Sequence, residues 1–185
     1  MAITDGRNGY GWLSIVLHWS GAALVVALFL IGEQLEELPR GPERTETLAL
    51  HVSLGASAFL FLAGRVLWRL VQGEPTPPAQ PRVFMLMSRL VQWALLAAIA
   101  TLILSGPFIQ WTAGRDVEVF GLFAIPGMLP RLETAHDVLE EVHEFASHAL
   151  IPLVALHVLG ALKHLVIDRD GTFWRILRPA RRPSA

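Results

Sequence analysis

Histidine is the residue type with the clearest capacity for chemistry in this chain. The 185 residues include seven histidines and no cysteine, which excludes disulfides and thiolate metal sites and leaves imidazole as the ligand for a transition metal. His18, His51 and His157 lie within long apolar stretches, and His143 comes just before one. Ionisable side chains inside a membrane span are costly and are usually functional. A lone histidine could simply hydrogen-bond a neighbouring helix, but four at matching depths predict a shared role.

The spacing of the C-terminal histidines fits one helix face. His143 and His157 are 14 residues apart, which is about 21 Å along a helix and about 40° around it. His136 and His164 each lie seven residues from one of this pair, so spacing alone would allow either as a ligand. We favour His143 and His157 because their depths in the membrane match those of His51 and His18. His148 is about 140° from His143 and is given no functional role.

Depth in the membrane sorts the four histidines into two pairs. His18 lies near the start of its stretch and His157 near the opposite membrane face from His143. His18 can therefore face His157, and His51 can face His143. Imidazole is a natural axial ligand for haem iron, and bundle cores commonly hold such cofactors. The prediction is two bis-histidine haem sites that transfer electrons; the alternative is a cofactor-free bundle whose histidines only pack.

The elements that carry these residues are four apolar stretches, each about long enough to cross a bilayer. Mean hydropathy is +0.48 and only 17% of residues are charged, against roughly 25% in soluble domains. The first stretch is longer than the roughly 7–15 residues of a signal-peptide core and is expected to be retained. We predict an all-α integral membrane four-helix bundle forming a single domain over residues 1–185. Its spans cover residues 12–31, 48–71, 86–110 and 146–167, followed by a basic tail at 168–185.

Basic residues predict the orientation. If the N-terminus, the proline-rich segment 73–82 and the tail share one side, that side holds eleven basic residues and the other four. The positive-inside rule then places both termini in the cytoplasm. The net charge of −1 gives no support for a nucleic-acid partner. The four outer basic residues are Arg40, Arg44, Arg115 and Arg131.

Two arginines lie near the cytoplasmic end of the second span. Arg65 and Arg69 are four residues apart, and arginine is well suited to the carboxylates of haem propionates. Snorkelling and membrane topology explain Arg65 equally well, and they explain Arg69 better.

Several short segments together resemble the bacterial cytochrome b561 family. The similarity extends over about residues 10–178, and no single segment is specific by itself. The segments are Gly11-Trp12-Leu13-Ser14-Ile15-Val16-Leu17-His18-Trp19, Leu50-His51-Val52-Ser53-Leu54-Gly55, Gly64-Arg65-Val66-Leu67-Trp68-Arg69, His143-Glu144 and His157-Val158-Leu159-Gly160-Ala161-Leu162-Lys163-His164. The resemblance implies a dihaem cytochrome of the bacterial inner membrane, with two haems b held by His18 with His157 and by His51 with His143.

The resemblance also implies a function. Members of this family pass electrons between a donor and the quinone pool, and one activity oxidises superoxide to dioxygen and reduces ubiquinone. His164 would then lie where the family places a quinone contact. The alternative is an electron carrier that serves a periplasmic dehydrogenase or hydrogenase. Superoxide is an anion that a basic entrance would attract, and the sequence leaves open whether the four outer arginines converge.

Overall fold

Four long helices dominate the computed structural model, which describes residues 2–180. They are α1 (Trp12–Glu37), α2 (Pro42–Gln72), α3 (Arg82–Thr112) and α4 (Glu133–Lys163). Each contains a window long and apolar enough to cross a membrane. The predicted all-α membrane bundle is therefore confirmed. Two short strands, β1 (Val117–Val119) and β2 (Phe123–Ile125), are the only sheet among the described residues.

The helices are longer than the apolar stretches from which they were predicted. Helix α1 continues to Glu37 and α2 begins at Pro42, so only residues 38–41 connect them. Helix α4 begins at Glu133, well before the apolar stretch that starts at residue 146. Hydropathy detects the part of a helix that meets lipid, whereas polar turns outside the hydrocarbon also keep their backbone hydrogen bonds. Pro42 is well placed because the first helical residue needs no intrahelical N–H partner.

The helices pack as two hairpins with a slot between their outer members. Helix α1 packs on α2, α3 packs on α4, and α2 joins the hairpins by packing on α3. Within the described residues, α1 and α4 have little direct backbone contact. Apolar side chains such as Leu60 and Val71 are 77% and 78% exposed, as expected of a surface that meets lipid.

A β-hairpin occupies part of the connection between α3 and α4 and is fastened to α2. Strands β1 and β2 are antiparallel, and Val117 and Val119 of β1 are buried. The Ser53 hydroxyl donates to the Glu118 carbonyl at 3.2 Å and accepts from the Phe120 N–H at 2.9 Å. Ser53 lies two residues after His51, so the hairpin is anchored beside one of the predicted ligands.

The two ends of the described chain meet at the opposite end of the bundle. The Ala2 N–H donates to the Ala180 carbonyl at 3.2 Å, and the Ala180 N–H donates to the Tyr10 carbonyl at 2.9 Å. Arg175 donates to the carbonyl of Thr76 in the proline-rich segment. The N-terminal segment, the proline-rich segment and the tail therefore lie on one side, as the topology prediction requires. Arg181 and Arg182 of the predicted basic tail lie outside the described residues.

The start of α1 generates a prediction about close packing. A Cβ on Gly11 would lie 2.2 Å from the Ile3 carbonyl oxygen, whereas one on Gly64 would meet nothing within 4 Å. We expect Gly11→Ala to lower the thermal midpoint in detergent, because overpacking costs about 1–3 kcal/mol. Gly64→Ala is the control and should leave the midpoint unchanged or raise it, since alanine favours helix. Equal midpoints for both variants would contradict this packing.

Candidate functional site

The structure brings the four intramembrane histidines together as two pairs, one between α1 and α4 and one between α2 and α4. The ring centroids of His18 on α1 and His157 on α4 are 6.2 Å apart, with an angle of 57° between the ring planes. Those of His51 on α2 and His143 on α4 are 6.3 Å apart, with an angle of 74°. Neither pair is joined by a hydrogen bond between its rings within the described chain. Helix α4 thus supplies one imidazole at each of two depths.

His143 is oriented by a serine of the neighbouring helix. The Ser105 oxygen lies 2.7 Å from His143 Nδ1, and the same hydroxyl lies 2.7 Å from the Thr101 carbonyl. A hydroxyl has one hydrogen, and a carbonyl can only accept, so Ser105 donates to Thr101 and accepts from the His143 Nδ1–H. The proton of the neutral ring is then on Nδ1. Nε2 keeps its lone pair for a metal, an arrangement that second-shell partners commonly enforce.

His51 has a buried Nδ1 that forms no hydrogen bond of normal geometry. A buried polar atom left in this way is costly, and such exceptions are frequently found at functional sites.

The pair formed by His18 and His157, called the inner pair below, has an arginine beside it. Arg65 Nη2 lies 3.0 Å from His18 Nδ1, and since a guanidinium can only donate, the histidine nitrogen accepts. Arg65 is half-buried and forms no ion pair with a carboxylate within residues 2–180. The side chain passes close to α1 at Gly21, where a Cβ would lie 3.3 Å from Arg65 Cδ.

The distance between the rings of each pair fits one metal ion between them. Two imidazoles bound on opposite sides of a metal, each at about 2.0–2.1 Å from it, place their ring centres about 6.4 Å apart. The observed separations are 6.2 and 6.3 Å. Each pair could therefore hold one iron ion between its two rings, which is the donor set that a b-type haem would need.

The remaining histidines have other partners. His136 Nδ1 is 3.1 Å from the Ile109 carbonyl and its Nε2 is 3.3 Å from Glu140, so both nitrogens are engaged. His148 Nε2 is 3.2 Å from Glu33 on α1. His164 Nδ1 lies beside Asp168 and Asp170. Spacing alone allowed His136 and His164 as ligands, but neither ring faces another histidine in the described chain.

The predicted arginines divide into separate groups. Arg69 donates to the Gly73 carbonyl and pairs with Glu74 at 2.8 Å, which fits the anchoring role favoured for it. Arg44 donates to the Leu35 carbonyl. Arg115 and Arg131 line one open cleft of about 640 Å³. Two of the four outer arginines therefore converge on a single cleft, whose lining also includes Glu133, His136 and Asp137.

Sequence reasoning missed several polar residues around the histidines. Ser105 lies in an apolar span, and its signal was present, because a hydroxyl there needs a partner just as an ionisable group does. Asp168 and Asp170 gave no signal of their own among the other charges of the tail. Gly106 was also missed: a Cβ there would be 3.8 Å from His143 Cε1, so the ring packs directly on the backbone of α3.

A sequence model of prokaryotic cytochrome b561 matches residues 9–179. The chain belongs to the prokaryotic cytochrome b561 family. It is 30% identical to "Cytochrome b561 homolog 2" of Escherichia coli K12, over 96% of this chain and 95% of the relative. It is 26% identical to "Probable superoxide oxidase CybB" of Yersinia pestis, over 93% and 97%. "Cytochrome b562" of Cereibacter sphaeroides is 25% identical, over 92% and 96%.

Family membership and the four apolar helices agree on the class of protein. This b561-family chain is a multi-pass bacterial membrane protein and a b-type cytochrome that transfers electrons. The histidine pairs offer nitrogen donors of the kind that b-type haem requires, and no cysteine is present to compete.

The hydrogen bond to His143 generates a prediction. Ser105→Ala removes the acceptor of the Nδ1–H, and a buried donor left unpaired costs about 1–3 kcal/mol. We expect a lower thermal midpoint in detergent for this variant. Ser57→Ala is the matched control, because the Ser57 hydroxyl only donates to the Ser53 carbonyl one turn earlier. A Ser57→Ala variant destabilised as much as Ser105→Ala would refute the specific role of Ser105.

Proposed function

We propose that this cytochrome holds two haems b and carries electrons from superoxide at the outer face to a membrane quinone such as ubiquinone. The observation that carries the proposal is the pair of facing imidazoles at each of two depths, both at the separation that fits an iron ion. When bound, the haems would supply two one-electron carriers. Two histidines holding each haem would leave no position on its iron for oxygen, which favours electron transfer.

Arg65 supports a haem at the inner pair. A half-buried arginine with no carboxylate partner in residues 2–180 needs an anion, because an unpaired charge in a membrane is costly. The propionates of haem are carboxylates, which the arginine fork fits. The contact with His18 keeps Arg65 beside the pair, where it would hold a propionate.

The outer cleft supports an anionic electron donor. Arg131 is paired with Glu133 at 3.3 Å, but Arg115 forms no ion pair in the described part of the chain. The cleft is bordered by His136, which is two helical turns before His143 on α4. Two arginines and two carboxylates line the cleft, so Arg115 is the group there that would attract an anion such as superoxide.

The other end of α4 supports the quinone contact. His164 is seven residues beyond His157 and follows it on nearly the same helix face. Its side chain is 13% exposed, so the imidazole is covered but reachable. An imidazole at this position can exchange protons near neutral pH, and quinone reduction consumes protons. Overall, two superoxide ions, one quinone and two protons give two dioxygen molecules and one quinol.

The distribution of basic residues supports an orientation of the protein in the membrane. The side on which the N-terminal segment, the proline-rich segment and the tail gather, with the adjoining helix ends, holds eleven of the fifteen basic residues of the sequence, so the positive-inside rule favours a cytoplasmic location for both termini, at the bacterial inner membrane. The outer pair and the cleft then face the periplasm. His164 faces the cytoplasm, where protons for quinone reduction are available.

A second candidate is an electron carrier that docks a periplasmic dehydrogenase or hydrogenase. The observation that favours it is the outer hairpin, whose tip exposes Leu122 at 81% and Phe123 at 59%. Exposed apolar groups on a rigid support are typical of docking surfaces. Co-purification of a soluble partner, lost on replacing Leu122 and Phe123 with serine, would support this function.

The haem content of histidine variants tests the ligand assignment. We expect two haems per chain in the parent protein and one in His18→Ala or His51→Ala, because each change removes an axial ligand from a different pair. Quantitative haem extraction with a protein assay gives the ratio. His136→Ala is the control and should keep both haems. A loss in His136→Ala, or none in His18→Ala, would overturn the assignment.

Reaction with superoxide tests the activity. Oxidised protein mixed with generated superoxide should show rapid haem reduction that dismutase abolishes and added quinone reverses. Arg115→Gln should slow the reduction about two- to fivefold and weaken its salt dependence, because steering charge is lost. Arg40→Gln, outside the cleft, should change little. If superoxide leaves the haem oxidised while quinol reduces it, the carrier function replaces this one.

A further inference from the structure

A cluster of charged residues surrounds His164 just beyond α4. The chain forms a π-helical turn over His164–Asp168, a local geometry that is frequently found at functional sites. His164 Nδ1 lies 2.8 Å from Asp170 Oδ2 and 3.1 Å from Asp168 Oδ2. One ring nitrogen therefore faces two carboxylates, and Nε2 has no hydrogen bond in the described chain.

Asp170 is held in place by the backbone that follows it. Its Oδ1 accepts from the Thr172 N–H at 2.9 Å, which leaves Oδ2 directed at His164. Desolvation by itself would raise the pKa of Asp170, but hydrogen bonds from Thr172 and from His164 outweigh it and lower this pKa. Asp170 is therefore an anion at neutral pH and can only accept. The His164 nitrogen that faces it must carry a proton.

The two carboxylates of the cluster have different partners. Lys163 Nζ lies 2.6 Å from Asp168 Oδ2, and the lysine also lies 4.7 Å from the centre of the Phe84 ring on α3, which covers it. Asp170 Oδ2 faces His164 Nδ1, so the carboxylate of Asp170 is the counter-ion that a protonated imidazole would find there. The lysine ammonium already neutralises Asp168, so a metal ion is not needed there.

We propose that Asp170 and Asp168 hold His164 as the acid that delivers cytoplasmic protons to the reduced quinone. This inference rests on the proposed quinone function. In each of two steps one electron arrives from the inner side of the bundle, the His164 Nε2–H bond breaks and an O–H bond forms at a quinone oxygen, so two electrons and two protons give the quinol. The imidazole keeps its Nδ1–H bond to Asp170 and regains a proton at Nε2 from cytoplasmic water after each step. Asp170 is a positioning residue that acts through the ring.

The substitution Asp170→Asn isolates this role. Asparagine keeps an oxygen for the Thr172 N–H, so the turn is preserved, but its NH₂ group then faces His164 Nδ1. Two donors cannot share that contact, so the ring must give up its Nδ1 proton or turn away. Losing the negative charge also disfavours the protonated imidazole. Asp170→Glu keeps the charge and should restore part of the function.

The test begins with chemically reduced protein, so it does not depend on superoxide as the donor. Reduced protein is mixed with a soluble ubiquinone analogue, and haem reoxidation is followed across pH. We expect Asp170→Asn to slow reoxidation about tenfold or more, and the alkaline fall in rate to move to lower pH. Glu74→Gln, which alters the Arg69 ion pair on the same side, should reoxidise like the parent. Reduction of oxidised Asp170→Asn by superoxide should be unchanged.

The outcomes separate the two ideas. If the haem of Asp170→Asn is reoxidised as fast as that of the parent protein at every pH, the proton role of the cluster is overturned while quinone reduction stays intact. Equal slowing by Asp170→Asn and Asp170→Glu, with no shift of the pH profile, would also overturn it, since it would indicate a merely structural effect. A parent protein that quinone does not reoxidise would overturn both the inference and the quinone function.

Discussion

The cost of placing an imidazole in hydrocarbon governs this structure. Every polar group within a bilayer needs a partner inside the protein, so each of the four intramembrane histidines must face another group across the bundle. His18, His51, His143 and His157 turn inward as two facing pairs, one between α1 and α4 and one between α2 and α4. Nitrogen donors therefore stand in the bundle where aliphatic side chains would otherwise pack, and donors of this kind would suit a b-type haem.

The polar groups around the pairs differ between the two membrane faces. The outer pair is fixed by neutral groups, of which the Ser105 hydroxyl is the clearest. The inner pair has a cation, Arg65, in contact with His18. The two histidine pairs therefore differ in their electrostatic surroundings, since only the pair that Arg65 contacts has a guanidinium beside it among the described residues.

Much of this arrangement could be predicted from the sequence, for reasons that individual residues make clear. Apolar runs of membrane-spanning length identify the four helices, and the depth of His51 in its run suffices to match it with His143. The ends of the helices could not be predicted, because Glu37 and Pro42 lie in polar segments where hydropathy carries no information. The hairpin depends on Ser53, whose bond to Glu118 links residues 65 positions apart and leaves no local pattern. The role of Asp170 likewise could not be predicted, because only the fold of the turn brings it to His164.

The meeting of the chain ends bears on how the protein is assembled. The indole of Trp19 donates to the Ile176 carbonyl at 3.0 Å, and the backbone groups of Ala2 and Tyr10 bond to Ala180. Segments before and within α1 are therefore completed by a segment beyond α4. Chains emerge and fold from the N-terminus, so this end of α1 stays unfinished until the residues beyond α4 have been made. The backbone bonds to Ala180 then fasten the first helix to the segment that follows the last.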